Sequence, residues 1–180
     1  MLSWVDILAL GWFSLVWSGY TLYAKRKAKV VSCLSFEMRR KRNHWMQQML
    51  RRDNKMADVG LISTLERNVS FFASSCLLIL AGLLTVLTSS ERLSHVLSGL
   101  IPWSVQSETQ IQVKILLLAF IYVFGFFQFT WSLRQYGFGG VLIGAAPDGK
   151  ELTTEDQLLY ANRTAKVIDQ AGHSFNYGLR

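Results

Sequence analysis

The chain has 180 residues, of which 51% are hydrophobic and only 17% are charged, well below the roughly one quarter of charged residues in a soluble domain. Nineteen Lys and Arg against twelve Asp and Glu give a net charge of +7, and only two prolines occur, which excludes a collagen-like, disordered or proline-rich linker protein. Two cysteines and three scattered histidines exclude a disulfide framework and a four-thiolate zinc site, so no metal or other cofactor is predicted. The composition favours a helical membrane protein.

Three hydrophobic segments are long enough to cross a bilayer, because about 20 apolar residues advancing about 1.5 Å each cover the hydrocarbon. They are residues 5–23, 69–88 and 111–133. Each carries at most one charged residue, and Asp6 and Lys114 both lie near a segment end. The sequence predicts an all-α, polytopic membrane helix bundle with three spans, forming a single membrane domain over residues 1–180.

The distribution of charge between these segments predicts their orientation. Residues 24–68 contain twelve basic and four acidic residues, a net charge of +8, whereas residues 89–110 carry a net charge of −1. Because Lys and Arg are enriched in cytoplasmic loops, residues 24–68 are predicted to be cytoplasmic and residues 89–110 external. Residues 134–180 are balanced in charge and follow in the cytoplasm by helix counting. The predicted location is the bacterial cytoplasmic (inner) membrane, with an external N-terminus.

A basic amphipathic helix is predicted over residues 35–66, where Met38, Trp45, Met49 and Met56 recur at spacings of seven, four and seven. A cationic helix of this kind is typical of an anionic membrane surface, and the alternative is a solvated face over a small cytoplasmic core. Nucleic acid is disfavoured as a partner, since no nucleic-acid module is recognisable. The predicted lipid-binding residues are Lys25, Arg26, Lys27, Lys29, Arg39, Arg40, Lys41, Arg42, Arg51 and Arg52.

A second cytoplasmic helix is predicted to begin at Thr153 or Thr154, whose hydroxyl can accept from an N–H of the first turn, with acidic residues following at the positive end of the helix dipole. An apolar stripe then repeats every three or four residues and is expected to pack on the Met-rich helix or on a partner. It comprises Leu158, Ala161, Ala165, Ile168, Ala171, Phe175 and Leu179. The glycines of residues 137–140 predict a flexible exit from the membrane before this helix, because the Lys and the βαβ context of a phosphate-binding loop are missing.

Three stretches of the chain resemble a bacterial and plant family of multi-pass membrane proteins, family 599 in the series of domains of unknown function. They are residues 66–75 (ERNVSFFASS), 141–147 (VLIGAAP) and 175–180 (FNYGLR), and the resemblance spans most of the chain. It implies a fold but no reaction. Members continue after this ending into a fourth membrane helix, so the resemblance implies a fourth span after Arg180 or, if the chain ends there, a gap for a partner helix.

One polar cluster at the membrane boundary is a candidate functional or structural site. It comprises Glu66, Arg67, Asn68, Asn176 and Arg180. Charged residues where a helix enters the bilayer can orient a lipid phosphate, bind a substrate or pair with each other, and structural pairing is favoured here. The chain end after residue 175 is expected close to residues 66–68, with Glu66 as the partner of Arg180.

The function predicted from these features is non-catalytic, because no Ser-His-Asp arrangement, paired intramembrane carboxylates or metal motif can be assembled. The leading hypothesis is an accessory or interaction subunit of a membrane assembly that contacts anionic lipid and either other membrane-protein chains or a second copy. A transporter or channel component for a small solute is the alternative, and a lipid-acting enzyme comes third. A solute path would have to use Ser74, Ser75, Thr85, Gln128 and Thr130.

Overall fold

The computed structural model describes residues 4–30, 34–89, 108–149 and 152–180 of the chain. Within these residues all regular structure is α-helical, which confirms the predicted all-α class. The helices are α1 (Trp4–Val30), α2 (Leu34–Leu50), α3 (Met56–Thr88), α4 (Glu108–Gly144) and α5 (Thr154–Gly178). They divide into two compact units, residues 1–38 with 86–116 and residues 39–85 with 117–180.

Two helices of the described chain, α3 and α4, are long and apolar enough to cross a membrane, with mean hydropathies of 2.2 and 1.9 over their most apolar 18 residues. They contain the predicted spans 69–88 and 111–133. The predicted span 5–23 lies in α1, which is not among these candidates. Trp, Tyr, Ser and Gly alternate with the aliphatic residues there and lower the hydropathy. The structure therefore gives two span candidates where the sequence predicted three.

The predicted helix over residues 35–66 is interrupted, because α2 ends at Leu50 and α3 begins at Met56. Within this break, the Asn54 side chain accepts a hydrogen bond from the Met56 N–H at 2.9 Å, a local bond that competes with helical pairing. The turn that follows α4 lies against the same break. A Cβ added at Gly149 would be 2.5 Å from the Leu50 carbonyl oxygen, and Lys55 Nζ donates to the Ala146 carbonyl at 2.9 Å. Tertiary contacts thus separate α2 from α3.

The core of the unit formed by residues 39–85 and 117–180 lies where α2, α3, α4 and α5 meet. Its fully buried side chains include Met46, Met49, Ile62, Ile143 and Ile168. The predicted apolar stripe of α2 is buried only in part. Trp45 and Met49 belong to this core, whereas Met38 and Met56 are 43% and 78% exposed. Since α2 buries its apolar face on protein, its basic residues form the outer face of a small core.

Helix α5 begins where the sequence predicted. Thr153 is the N-cap residue, and its hydroxyl oxygen accepts from the Asp156 N–H at 3.2 Å. The middle of the apolar stripe is buried as expected, with Ala161, Ala165, Ile168 and Ala171 at most 1% exposed. Its two ends differ from the prediction, because Leu158 and Leu179 are about half exposed. The stripe packs on α4 and on α2, and α2 is the Met-rich helix that was its expected partner.

The glycines of residues 137–140 are helical, so the predicted flexible exit from the membrane is wrong. Helix α4 continues to Gly144. A Cβ added at Gly139 would lie 3.0 Å from Ile168 Cγ1, and one added at Gly140 would lie 3.7 Å from Ile62 Cγ2. The glycines therefore allow α3 and α5 to approach α4 closely, and their role is packing instead of flexibility.

In the unit formed by residues 1–38 and 86–116, an ion pair joins α1 to α4. Lys114 Nζ lies 2.9 Å from Asp6 Oδ1, and the Asp6 side chain is only 16% exposed. The first turn of α1 therefore lies beside the second turn of α4. Many aromatic side chains of α1 are exposed, including Trp4 at 81% and Trp12 at 72%.

Candidate functional site

Most of the predicted lipid-binding residues that the structure describes are exposed, and some of these cations also contact carboxylates. Arg26, Arg39, Arg40, Lys41, Arg51 and Arg52 are exposed, while Arg42 is half-buried. The side chains of Lys25, Lys27 and Lys29 lie outside what the structure describes. Most of the described set is therefore on the surface of α2 and at its C-terminal end, where a charged surface could be contacted.

Asp169 of α5 lies within ion-pair distance of two of these cations, contacts that the sequence did not predict. Arg42 Nη1 lies 2.6 Å from Asp169 Oδ1, and Arg39 Nε lies 4.0 Å from Asp169 Oδ2. The Arg42 side chain is 22% exposed, so this pair is partly screened from water. Arg42 therefore connects α2 to α5 and is not available as a purely lipid-facing cation. The sequence signal for this contact is that the acidic Asp169 directly follows Ile168 of the apolar stripe.

Asp58 in the first turn of α3 is the second carboxylate that the sequence analysis missed. Its side chain is 1% exposed, and Oδ1 accepts from Trp45 Nε1 at 2.6 Å and from Arg52 Nη1 at 2.7 Å. Its Oδ2 has no hydrogen-bond partner. An acidic side chain is favourable at this position because of the helix dipole. Asp58 therefore fixes the end of α2 against the start of α3.

The polar cluster proposed from the sequence is not assembled as one site. Arg67, Asn68, Asn176 and Arg180 are exposed, whereas the Glu66 carboxylate faces α4, with Oε1 3.6 Å from where a Cβ of Gly137 would be.

Among the described residues Glu66 forms no ion pair, so the predicted pairing of Glu66 with Arg180 is wrong. Helix α5 continues to Gly178, which lies beside Gln128 and Phe129. These residues are eight or nine positions from Gly137 along α4, or roughly 12–14 Å. That distance separates the chain end from Glu66.

Asn68 and two residues near the chain end, Phe175 and Leu179, line the same apolar groove between α3, α4 and α5. The groove has a volume of about 350 Å³. It is lined by Leu65, Asn68, Val69, Phe71, Phe72, Tyr136, Phe175 and Leu179. Phe175 packs edge-to-face against Phe72 and at a tilt against Phe129, with ring centroids 5.3 Å and 5.7 Å apart. Aromatic side chains thus give the groove a rigid wall.

Tyr136 is the buried polar residue of this groove. It is 4% exposed, and its hydroxyl oxygen lies 3.5 Å from where a Cβ of Gly172 would be. The Arg42 guanidinium is 3.0 Å from the same point, so Tyr136 and Arg42 are neighbours. Burial raises the pKa of Tyr136, while the positive charge of Arg42 lowers it and the negative charge of Asp169 raises it. The hydroxyl of Tyr136 therefore lies in the neighbourhood of the Arg42–Asp169 ion pair.

Three of the five residues considered for a solute path use their hydroxyls within their own helices. Ser75 donates to the Phe71 carbonyl, Thr85 to the Ala81 carbonyl and Thr130 to the Phe126 carbonyl. In these bonds the hydroxyl donates to a carbonyl oxygen of its own helix, which leaves less hydrogen-bonding capacity for a solute. Over the described ranges, no group of three or more His, Cys, Asp and Glu residues is placed to hold a metal ion.

Comparison with known proteins supplies a family and no activity. The model of a family described as "Protein of unknown function, DUF599" matches residues 8–180. Because this match covers nearly the whole chain, the protein belongs to the DUF599 family. No curated protein and no solved structure matches the chain significantly. Function must therefore be inferred from the residues themselves.

Proposed function

We propose that this member of the DUF599 family is an integral membrane protein without enzymatic activity, an accessory or interaction subunit that contacts anionic lipid through α2. One observation carries the proposal. The most apolar 18 residues of α3 and of α4 are only 17% and 11% buried within the protein. A core helix of a soluble protein would be mostly buried, and exposed apolar surface of this extent requires a bilayer or other chains to cover it.

The charge of α2 supports lipid headgroups as one of the partners. Arg40, Lys41 and Arg51 are exposed, and α2 has its apolar side covered by the core. Each basic residue near an anionic surface contributes on the order of 1 kcal/mol before screening by salt. We propose the bacterial cytoplasmic membrane as the location, with α2 at the inner leaflet and α1 as a third span. The ion pair between Asp6 and Lys114 supports placing the starts of α1 and α4 on one side.

The exposed apolar faces support a protein partner beside lipid. Phe71, Leu78, Phe120 and Phe127 are 65–76% exposed on α3 and α4. Lipid can cover such faces, but specific association between membrane helices is the property expected of an accessory subunit. The partner is either another membrane-protein chain or a second copy.

The proposal is tested with the full chain in nanodiscs that contain neutral phosphatidylcholine and a minor fraction of phosphatidylglycerol. We expect native mass spectrometry to find phosphatidylglycerol enriched among the retained lipids, and enrichment should fall with added salt. Charge reversal at Arg40, Lys41 and Arg51 should abolish it, whereas reversal at the exposed Arg163 and Lys166 of α5 should not. Extraction of the chain from membranes by alkaline carbonate would contradict membrane integration, and equal retention of both lipids would contradict anionic lipid contact.

A further inference from the structure

We infer that the groove between α3, α4 and α5 binds one acyl chain of a membrane phospholipid, with the ester carbonyl at Tyr136 and Asn68. This inference rests on the proposed membrane location and adds a defined ligand site to it. The groove belongs to a single compact unit, so every residue that forms it is placed relative to the others.

The walls of the groove match a hydrocarbon chain. Six of its eight lining residues are apolar or aromatic without a polar atom, and its volume is about 350 Å³. Residues 65–72 of α3 run along it, a length of roughly 10 Å along the helix axis. Apolar, concave and largely preformed sites of this size are typical of small-molecule ligands.

The mouth of the groove is open on the side that a bilayer would cover. Phe71 and Leu179 line it and are 69% and 50% exposed. Phe71 lies on α3 within the predicted span 69–88 and close to its cytoplasmic end. A lipid chain can therefore enter laterally from the surrounding hydrocarbon, without crossing water.

The two polar residues of the groove match the ester group of a phospholipid. Tyr136 and Asn68 both line the groove, and the tyrosine hydroxyl and the asparagine amide are both hydrogen-bond donors. The carbonyl oxygen of an ester can accept a hydrogen bond from either group.

The charge beside the groove identifies the headgroup. Arg67 is exposed next to Asn68 along α3, whereas the Glu66 carboxylate is directed to Gly137 of α4. Arg42 lies behind Tyr136, although Asp169 balances its charge. Arg67 is thus an exposed cation directly beside the groove residue Asn68 along the chain, and its guanidinium suits a lipid phosphate. A phospholipid is favoured over a neutral lipid for this reason.

The test uses the full chain in phosphatidylcholine nanodiscs with a phosphatidylglycerol probe that carries a photoactivatable diazirine in its acyl chain. We expect crosslinks to concentrate on the segments containing Phe71 and Phe175, and excess unlabelled phosphatidylglycerol should suppress them. Leu179→Trp should fill the mouth and reduce this labelling to the level of an ordinary lipid-facing position. Leu78→Trp on the exposed face of α3 is the matched control and should leave the groove labelling unchanged.

A second variant tests the polar end without filling the groove. Tyr136→Phe removes one hydroxyl, and the concentration of unlabelled phosphatidylglycerol that halves the groove labelling should rise roughly two- to tenfold, the value of one hydrogen bond. Labelling at Phe71 and Phe175 that equals labelling at Leu78, or that is insensitive to Leu179→Trp, would overturn the inference. An absence of labelling at Leu78 as well would instead contradict the proposed membrane location.

Discussion

At the scale of single residues, the buried carboxylate of Asp58 joins the end of α2 to the start of α3. Oδ1 holds an indole N–H and a guanidinium at 2.6 Å and 2.7 Å, and these donors come from α2 and from the break after it. A buried charge is tolerated only when it is paired and hydrogen-bonded. Asp58 therefore contributes to stability through partners that lie 13 and 6 residues away along the chain.

Replacing Asp58 should destabilise the contact between α2 and α3. We expect Asp58→Ala to cost about 2–3 kcal/mol, because two charge-assisted hydrogen bonds are lost while the half-exposed Arg52 can return to water. Asp58→Asn keeps one acceptor oxygen and should cost less. Thermal unfolding of the chain in detergent measures both effects, and Glu155→Ala at an exposed position of α5 is the control. Equal melting temperatures for Asp58→Ala and Glu155→Ala would contradict this role.

At the scale of helices, close approach of α5 to α4 depends on positions without a side chain. Gly139 is buried against Ile168, and Gly178 lies so near Phe129 that a Cβ would be 2.9 Å from its ring. The glycine run at residues 137–140 indicated flexibility when only its sequence was considered. The packing of α5 explains instead why small residues occur inside a helix, where glycine otherwise costs stability.

Substitution of Gly139 separates these two interpretations. Gly139→Ala should lower the melting temperature, since its Cβ would be 3.0 Å from Ile168 Cγ1 and the buried neighbour must move. Gly82→Ala in α3 has no neighbour within 4 Å, and it should be neutral or stabilising by up to about 1 kcal/mol. Both variants are compared by thermal unfolding in the same detergent. A gain in stability from Gly139→Ala would show that the packing is looser than described.

At the scale of the whole molecule, the distribution of charge predicts the orientation of the chain in the membrane. The net charge of +8 over residues 24–68 against −1 over residues 89–110 is a large bias for short segments. The exposed cations of α2 belong to the first of these segments.

Cysteine accessibility tests this orientation in the full chain after Cys33 and Cys76 have been replaced by Ser. A cysteine at position 41 should be protected from a membrane-impermeant maleimide in intact cells and become reactive after permeabilisation. A cysteine at position 95, outside the described residues, should react in intact cells. The reverse pattern would invert the topology and place α2 at the outer leaflet.

The sequence by itself determined the features that depend on local composition. Hydropathy located the apolar halves of α3 and α4, and the residues after Thr153 located the start of α5, because a helix cap and an apolar run act within a few turns. Only the tertiary structure decided which polar groups meet. Arg42 and Asp169 are separated by 127 residues, and Glu66 turns to a glycine of α4 instead of to Arg180. Such pairings depend on where helices cross and how closely they approach, and neither quantity is encoded in the periodicity of any single helix.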